Sequence, residues 1–515
     1  MKYTAINIGP IIPTISMGRR PREIWAASYI FSFLMQCIIT EIKKIKGVEI
    51  ISPATLDGEE KIGVDIISPA TLDSEEKTGV GLYPDRVFVQ GEFNVQETIN
   101  TALNKFEELT GVSKEYVNVM HVTIDSEESP IKRLNQMLDT TELCNRPIDE
   151  SSRQSVLNTI TKGYESPLHL HAFGELGFHI PFIAEIATSS LANRVDGWTK
   201  LCDKFRKIET NKEVSQEEDN FYQNIKDKVG EKFFSYYKYI CIVQADGDNM
   251  GKIVSSVDTA NVKKISESLL NYGKSACKQI KDYGGLPIYA GGDDLLFIAP
   301  VRSEKESIFD LVDKIDALYK KEVDGSIEPF RPDGLHTTLS YGLSISYYKF
   351  PLYEAFKDAI DQLFTKAKNV DGKNAISWQL RKHSGTGFVG GITKAMPTSA
   401  GQKTLYSLFK DISQQSVDEK LISAIAHKLK TNEGLLDILF ESYKDSEPKL
   451  KERIANFYKK FMEDTGSSAY TTLTKELLCT LMINNKTSKI KTILENLYGI
   501  LRTAKFIKGE GDKDE

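Results

Sequence analysis

Apolar and polar residues form their most informative pattern between residues 239 and 300. Two apolar runs of strand length, Leu286–Ala290 and Leu295–Ala299, flank the tetrapeptide Gly291-Gly-Asp-Asp294. Two such runs joined by a glycine-rich turn predict a β-hairpin, with Gly291 and Gly292 at the bend. The hairpin therefore presents two adjacent carboxylates, those of Asp293 and Asp294, directly after its turn.

A second acidic turn follows an apolar run upstream of the hairpin. Tyr239–Ala245 predicts a strand that leads into Asp246-Gly-Asp248, and Val262–Tyr283 predicts the helix between this turn and the hairpin. Downstream, the pattern predicts helix Ser303–Glu322, strand Thr337–Tyr347, helix Tyr353–Lys368 and the short strand Asn374–Gln379. When Ser303–Glu322 is counted as an insertion, the order is β-α-β-β-α-β, which is that of the ferredoxin-like split unit.

The N-terminal region repeats this order without the acidic turns. Its predicted elements are strand Tyr3–Ile8, helix Pro13–Ile45, strand Arg86–Gln90, helix Val95–Leu109 and strand Tyr116–Ile124. Asn7 and Gly9 stand where the second unit has Asp246 and Asp248. The rest of the chain has mainly helical, amphipathic patterns. We therefore expect an α+β protein with two ferredoxin-like units and helical domains between and after them, over residues 1–130, 131–235, 236–385 and 386–515.

A tandem repeat interrupts the first unit. Residues 49–64 and 65–80 are nearly identical, and both contain the sequence Ile-Ile-Ser-Pro-Ala-Thr-Leu-Asp. Two copies are too few to build a solenoid. We expect a local duplication in a surface hairpin inserted into the N-terminal domain, and we assign it no function.

Composition narrows the class of protein. A chain of 515 residues holds about three or four domains. No apolar run approaches the roughly 20 residues of a membrane span, so no membrane contact is expected. The six cysteines are scattered without a Cys-x-x-Cys pair, which predicts reduced thiols in a cytoplasmic protein and no zinc site. The net charge of −6 is not typical of a nucleic-acid binder, so RNA contacts would depend on local basic clusters or on partner proteins.

The four aspartates of the acidic turns are expected to converge at one sheet edge. The first strand and the hairpin are neighbours in a ferredoxin-like sheet, which brings together Asp246, Asp248, Asp293 and Asp294. Carboxylates so close repel one another, and a bound cation relieves that repulsion. Paired carboxylates on a rigid hairpin also suit a divalent ion that holds a nucleotide's phosphates. The sequence therefore predicts a magnesium or manganese site.

These residues resemble a known family. The strand order, the first-strand aspartate and the Gly-Gly-Asp hairpin resemble the palm domain of nucleotide cyclases and diguanylate cyclases, and Ala359–Lys368 with Gly372-Lys-Asn374 is similar to their late helix. The second aspartate of the hairpin points to the polymerase-like large subunit of type III CRISPR effector complexes. Further segments are similar to the III-B (Cmr) branch of that family: Ile8–Ile11, Arg19–Tyr29, Tyr83–Arg86, Ala187–Ala192 and Ser340–Pro351.

The resemblance implies an enzyme that transfers a nucleotidyl group from ATP and releases pyrophosphate. Asp246 and Asp293 would hold two Mg²⁺ or Mn²⁺ ions, and Asp248 and Asp294 would complete the shell. Expected nucleotide-binding residues are Gly251, Lys252, Gly291, Gly292, Ser340, Lys366 and Lys368, the last two as a phosphate clamp. The first unit is then a palm without catalytic residues. Expected partners are the other Cmr subunits, the guide RNA and an activating target RNA.

Two other functions stay open, and so does the product. Retention of all four aspartates disfavours a non-catalytic scaffold of the RNA-guided complex. Asp294 and the N-terminal similarity disfavour a stand-alone diguanylate cyclase-like enzyme. ATP could be converted to a cyclic oligoadenylate or joined to S-adenosylmethionine. Many relatives carry an N-terminal HD nuclease domain, but none of the seven histidines is followed by Asp, so we expect no DNA cleavage by this chain.

Overall fold

The N-terminal region forms a ferredoxin-like sheet, as the sequence predicts. The computed structural model describes residues 1–54, 79–126, 130–143, 147–162, 168–169, 172, 180–209, 214–414, 419–462 and 468–509. Among these residues the first sheet has four strands in the order β2-β3-β1-β4, and every neighbouring pair is antiparallel. The elements are β1 (Lys2–Gly9), α1 (Ile11–Ile15), α2 (Pro21–Lys43), β2 (Glu49–Ser52), β3 (Arg86–Gln90), α3 (Val95–Thr110) and β4 (Asn118–Asp125).

The sequence pattern did not predict β2. This strand has only four residues, lies at the edge of the sheet and coincides with the start of the tandem repeat. Its pairing with β3 shifts register between Ile50 and Ser52, so its apolar residues do not alternate regularly. Residues 55–78 of the repeat lie outside the described part of the chain, and the predicted surface hairpin remains a prediction.

Helix α2 is the central helix of the N-terminal core. Pro21 occupies the first turn, where a missing N–H group removes no intrahelical hydrogen bond. Of the helices in the described ranges, this one is long and apolar enough to cross a membrane by length and composition. However, 83% of its most apolar window is buried inside the protein, where the helix packs against α3. Its apolar character is therefore accounted for by the core.

The region between the two sheets is helical, as expected. Its helices are α4 (Ile131–Glu142), α5 (Glu150–Thr161), α6 (Ile183–Ala187), α7 (Trp198–Glu209) and α8 (Val214–Val229). Short 3-10 turns cover Ser189–Arg194, Gly230–Lys232 and Ser235–Lys238. Helix α6 packs against two strands of the second sheet, Tyr239–Gly247 and Asp294–Pro300, so this helix lies against that sheet.

The second sheet contains the ferredoxin-like unit that carries the acidic turns. Its described strands run in the order β10-β9-β8-β5-β7-β6. The elements of this region are β5 (Tyr239–Gly247), α9 (Met250–Val254), α10 (Thr259–Tyr283), β6 (Leu286–Gly291), β7 (Asp294–Pro300), α11 (Ile308–Tyr319), β8 (Leu339–Tyr347), α12 (Leu352–Asp361), β9 (Ala375–Arg381) and β10 (Gly387–Thr393).

Helix α11 is the second crossover helix of this unit, which corrects the prediction that Ser303–Glu322 is an insertion. The helix begins with a capping box between Ser307 and Asp310 and continues through a π-helical turn at Lys320–Asp324. It leads to β8, which pairs antiparallel with β5 and is the fourth strand of the unit. Helix α12 and β9 then extend the sheet, because β9 pairs parallel with β8. Helices α11 and α12 both precede a strand, so the helical periodicity of the sequence could not show which of them is the crossover helix of the unit.

The C-terminal helices pack on each other and on the edge of the second sheet. They are α13 (Leu405–Gln414), α14 (Glu419–Thr431), α15 (Glu433–Tyr443), α16 (Glu447–Met462), α17 (Ser468–Asn484) and α18 (Ile490–Lys508). Gly499 lets α18 lie directly on β10, because a Cβ atom there would collide with the carbonyl group of Val389. Across the same interface Trp378 Nε1 donates a hydrogen bond of 2.8 Å to Thr503 Oγ1.

Candidate functional site

Three of the four predicted aspartates meet where β5 ends and the hairpin turns. In the antiparallel pairing of β5 with β7, Ala245 lies opposite Leu295, so Asp246 and Asp294 follow on adjacent strands. Asp293 lies against the backbone of β5, because a Cβ atom at Gly247 would collide with Asp293 Oδ2. We call Asp246, Asp293 and Asp294 the aspartate cluster.

Burial raises the pKa of each carboxyl group in the cluster, and neighbouring carboxylates add to the effect. Burial and the charge of Asp246 raise the pKa of Asp293 to about 7. Burial, Asp246 and Asp293 together raise the pKa of Asp294 well above its usual range. Burial also raises the pKa of Asp246, although Lys368 opposes this effect. When ionised, the three carboxylates therefore carry more negative charge than Lys368, which contacts Asp246, can offset.

The cluster fits a divalent cation in charge and donor type. Carboxylate oxygens suit Mg²⁺ or Mn²⁺, and Mg²⁺ is commonly held by one or two carboxylates together with water and substrate phosphates. Within the described ranges, no group of three or more His, Cys, Asp or Glu side chains is already arranged to hold a metal ion. Oxygens of water or a nucleotide would thus have to provide the remaining ligands.

Asp248, the fourth predicted ligand, is fully buried beside the cluster. Its carboxylate oxygens are occupied by hydrogen bonds from other groups of the protein. Thr338 Oγ1 donates to Asp248 Oδ2 at 2.7 Å, and Ser340 Oγ lies 3.0 and 2.9 Å from the two carboxylate oxygens. The backbone N–H of Asn374 donates to Oδ2 at 3.0 Å, and Lys368 Nζ donates to Oδ1 at 2.9 Å. Ser340, expected to bind the nucleotide, is itself fully buried and holds Asp248.

The two lysines of the predicted phosphate clamp lie in different environments. Lys368 Nζ lies inside the acidic turn, and its side chain is only 11% exposed. It donates hydrogen bonds to the carbonyl oxygens of Asp246 and Gly247, at 2.9 and 2.7 Å. Lys366 is exposed at the end of the π-helical turn Gln362–Lys366. The irregular helix end thus turns one lysine inward and the other toward solvent.

The remaining predicted nucleotide-binding residues lie on the two turns. Gly251 and Lys252 are exposed in α9, and the space around Gly251 is open. Gly292 has a φ of 66°, a left-handed conformation that favours glycine in the hairpin bend. A Cβ atom at Gly291 would collide with the ring of Tyr289, so glycine is needed there for close packing.

The structure also brings an aspartate of the N-terminal domain to the hairpin, which sequence reasoning missed. The segment Gly81–Asp85 crosses over the hairpin, and the Ala290 N–H donates to the Gly81 carbonyl oxygen at 2.9 Å. The charge of Asp85 contributes to the raised pKa of both Asp293 and Asp294. Asp85 lies in the segment Tyr83–Arg86, which the sequence singled out only as a family resemblance.

Tyr319 is a second residue that was missed. It lies on α11, the helix that the sequence analysis treated as an insertion. Its hydroxyl is hydrogen bonded to Thr337 Oγ1 at 2.8 Å, and Thr337 Oγ1 in turn lies 2.8 Å from the carbonyl oxygen of Asp248. Through Thr337, Tyr319 therefore helps to hold the backbone at Asp248 in place. Recognising α11 as a crossover helix would have suggested this role for Tyr319.

Family models match two parts of the chain. The model described as Cas10/Cmr2, second palm domain, matches residues 239–377. The model described as CRISPR-associated protein Cmr2, N-terminal, matches residues 3–113. The Cmr subunit Cmr2 of Pyrococcus furiosus is 29% identical over 210 residues, which is 36% of this chain and 23% of that protein. The alignment thus spans less than a quarter of the relative's length.

Solved structures with a similar fold include chains of type III-B Cmr-beta complexes. A chain of type III-B Cmr-beta in the apo state superposes with a TM-score of 0.55 at 12% identity, covering 89% of this chain and 77% of that one. A chain of Cmr-beta bound to cognate target RNA gives a TM-score of 0.52 at 11% identity, covering 84% and 76%. Together with the domain matches, this similarity confirms the resemblance that the sequence motifs indicated.

Proposed function

We propose that this chain, a Cmr2-like protein by its Cas10/Cmr2 palm and Cmr2 N-terminal domain matches, makes a nucleotide messenger from ATP in a type III-B CRISPR complex. The observation that carries this proposal is the aspartate cluster. Three carboxylates with raised pKa values lie at the ends of adjacent strands, where burial and repulsion disfavour their charge. Such an arrangement costs stability unless a ligand compensates it, so it favours a functional site over a structural one.

In the proposed reaction, a 3′-hydroxyl group attacks the α-phosphorus of ATP. A new O–P bond forms while the bond from the α-phosphorus to the oxygen bridging to the β-phosphate breaks, so that pyrophosphate leaves and the hydroxyl proton passes to solvent. Two Mg²⁺ or Mn²⁺ ions held by Asp246, Asp293 and Asp294 would lower the pKa of the attacking hydroxyl and neutralise charge on the triphosphate. Gly292, whose φ of 66° is left-handed, forms the bend directly before Asp293 and Asp294 and supports this assignment.

We propose that exposed lysines near the two turns bind the triphosphate. Lys252 lies on α9, directly after the acidic turn, and Lys366 lies on the helix end that also carries Lys368. Both side chains are exposed and can reach a ligand without breaking a buried contact. The segment Gly81–Asp85 of the N-terminal domain forms a wall over the hairpin, which would limit the access of water.

The proposed partners are the other Cmr subunits, the guide RNA and the target RNA, in the cytoplasm. The Cmr2 domain matches support this assignment, and one of the Cmr-beta structures of similar fold contains cognate target RNA. We propose that target RNA activates the enzyme, so that the isolated chain turns over ATP slowly.

Mass spectrometry of the reaction products tests this proposal. The complex is assembled with guide RNA and supplied with ATP and Mg²⁺, with and without matching target RNA and S-adenosylmethionine. A cyclic oligoadenylate, or a conjugate that appears only with S-adenosylmethionine, is the expected product in the presence of target RNA. Absence of any ATP-derived product under all four conditions would favour a scaffold role instead.

A further inference from the structure

The ammonium group of Lys368 is enclosed by the acidic turn Asp246–Asp248. Besides the carbonyl oxygens of Asp246 and Gly247, it contacts Asp248 Oδ1 at 2.9 Å and Asp246 Oδ2 at 3.2 Å. An ammonium group has three N–H donors. Four oxygen atoms within 3.2 Å therefore already exceed its donor capacity.

The contact to Asp248 matters most, because that carboxylate has no exposure to solvent. A buried carboxylate is tolerated only when it is paired and hydrogen bonded. Three of the groups that bond to Asp248 are uncharged, namely Thr338, Ser340 and the backbone of Asn374. Lys368 supplies the positive charge, so moving its ammonium group toward a phosphate would leave a buried anion uncompensated.

We propose that Lys368 is a positioning residue that fixes the acidic turn and the Asp246 carboxylate, and that it does not bind the triphosphate. The inference rests on the proposed function and concerns the same site. Lys368 holds the backbone of residues 246 and 247 from one side, while Asp293 lies against Gly247. The metal-binding face of Asp246 is thereby set before any ligand arrives. Phosphate binding is left to Lys366 and Lys252.

The shape of the site also predicts that arginine cannot replace Lys368. The four oxygen atoms surround one compact ammonium nitrogen, whereas a guanidinium group is planar and directs its donors outward. At a phosphate-binding position arginine is usually a competent substitute, because it pairs well with phosphate oxygens. Lys368→Arg therefore distinguishes the two roles.

The first test measures thermal unfolding of the full chain in metal-free buffer and does not depend on catalysis. Lys368→Met should lower the Tm by at least about 5 °C, because it leaves Asp248 buried and unpaired. Lys366→Met, the matched control, should change the Tm by less than about 1 °C because that side chain is exposed. The double variant Asp248→Asn with Lys368→Met should recover part of the loss, since it also removes the buried charge. If Lys368→Met does not fold, a folded double variant gives the same answer.

The second test measures binding of Mg²⁺-tripolyphosphate to the full chain by calorimetry. Lys366→Met should weaken binding about tenfold, whereas the double variant Asp248→Asn with Lys368→Met, which also lacks the Lys368 charge, should leave it within about threefold. In the assembled complex, Lys368→Arg should lower kcat at least about tenfold with little change in KM for ATP. Retained kcat in Lys368→Arg, an unchanged Tm in Lys368→Met, or weaker tripolyphosphate binding in the double variant than in Lys366→Met would each overturn the proposal. If the wild-type complex makes no product, the proposed function fails, while unfolding and tripolyphosphate binding still decide the role of Lys368.

Discussion

The carboxylate of Asp293 lies so close to Gly247 that no larger residue fits at position 247 without moving it. Gly247 is the last residue of β5, and Asp293 lies in the hairpin bend directly before β7. Their contact brings Asp293 next to Asp246 and makes the aspartate cluster possible. The geometry of the site thus depends on a glycine that carries no chemistry of its own.

Gly247→Ala should therefore abolish the proposed ATP turnover without unfolding the protein. The added methyl group displaces Asp293, and a displacement of about 1 Å in a catalytic group can cost about 100-fold in rate. ATP turnover by the assembled complex is the measurement. Gly434→Ala is the matched control, because a Cβ atom at Gly434 meets open space. Turnover by Gly247→Ala within about threefold of the wild-type rate would mean that Asp293 need not lie where the structure has it.

Asp85→Asn should weaken the proposed metal binding while leaving the proposed ligands Asp246, Asp293 and Asp294 in place. Asp85 adds negative charge beside Asp293 and Asp294, and a neighbouring charge favours a divalent cation. We expect the Kd for Mn²⁺, measured by electron paramagnetic resonance, to rise about three- to tenfold. Asp125→Asn is the control, since Asp125 is exposed at the opposite end of β1. Equal Mn²⁺ affinities in the two variants would remove Asp85 from the site.

The stability of the metal-free protein should increase as the pH falls through neutrality. The folded-state pKa of Asp293 is about 7, above the ordinary value of 3.8, so the folded protein binds more protons than the unfolded chain between these values. The destabilising contribution of Asp293 is full above about pH 7 and declines as the pH falls toward 4. Thermal unfolding in the presence of a chelator, at pH 7.5 and pH 5.5, measures this effect.

Asp293→Asn should show a smaller gain in Tm between pH 7.5 and pH 5.5 than the wild type, because it lacks the titrating group. The exposed residue Asp333 provides the control, and Asp333→Asn should follow the wild type. If Asp293→Asn gained as much stability as the wild type, the pKa of Asp293 would not be raised by its surroundings.

Local patterns were sufficient to predict every strand of the two sheets except β2 and β10, the hairpin, and the convergence of Asp246, Asp293 and Asp294. Each of these depends on a short apolar run and a nearby turn, and strand neighbours follow from the ferredoxin-like order. The role of α11 was misassigned because periodicity reports that a helix exists and not which strands it connects. The burial of Asp248 was also beyond the sequence, since it depends on donors from Thr338, Ser340 and Asn374, about 90 to 126 residues away.

The isosteric pair of substitutions Asp293→Asn and Asp294→Asn tests the central claim most directly. The variant complex is assembled with guide RNA and matching target RNA, and nucleotide products from ATP and Mg²⁺ are measured by mass spectrometry beside the wild type. We predict an ATP-derived product and pyrophosphate from the wild type, and neither from the variant, with complex assembly unchanged because these carboxylates serve a cation rather than the core. Equal product formation by the wild type and the variant would contradict the assignment of the aspartate cluster as the active site.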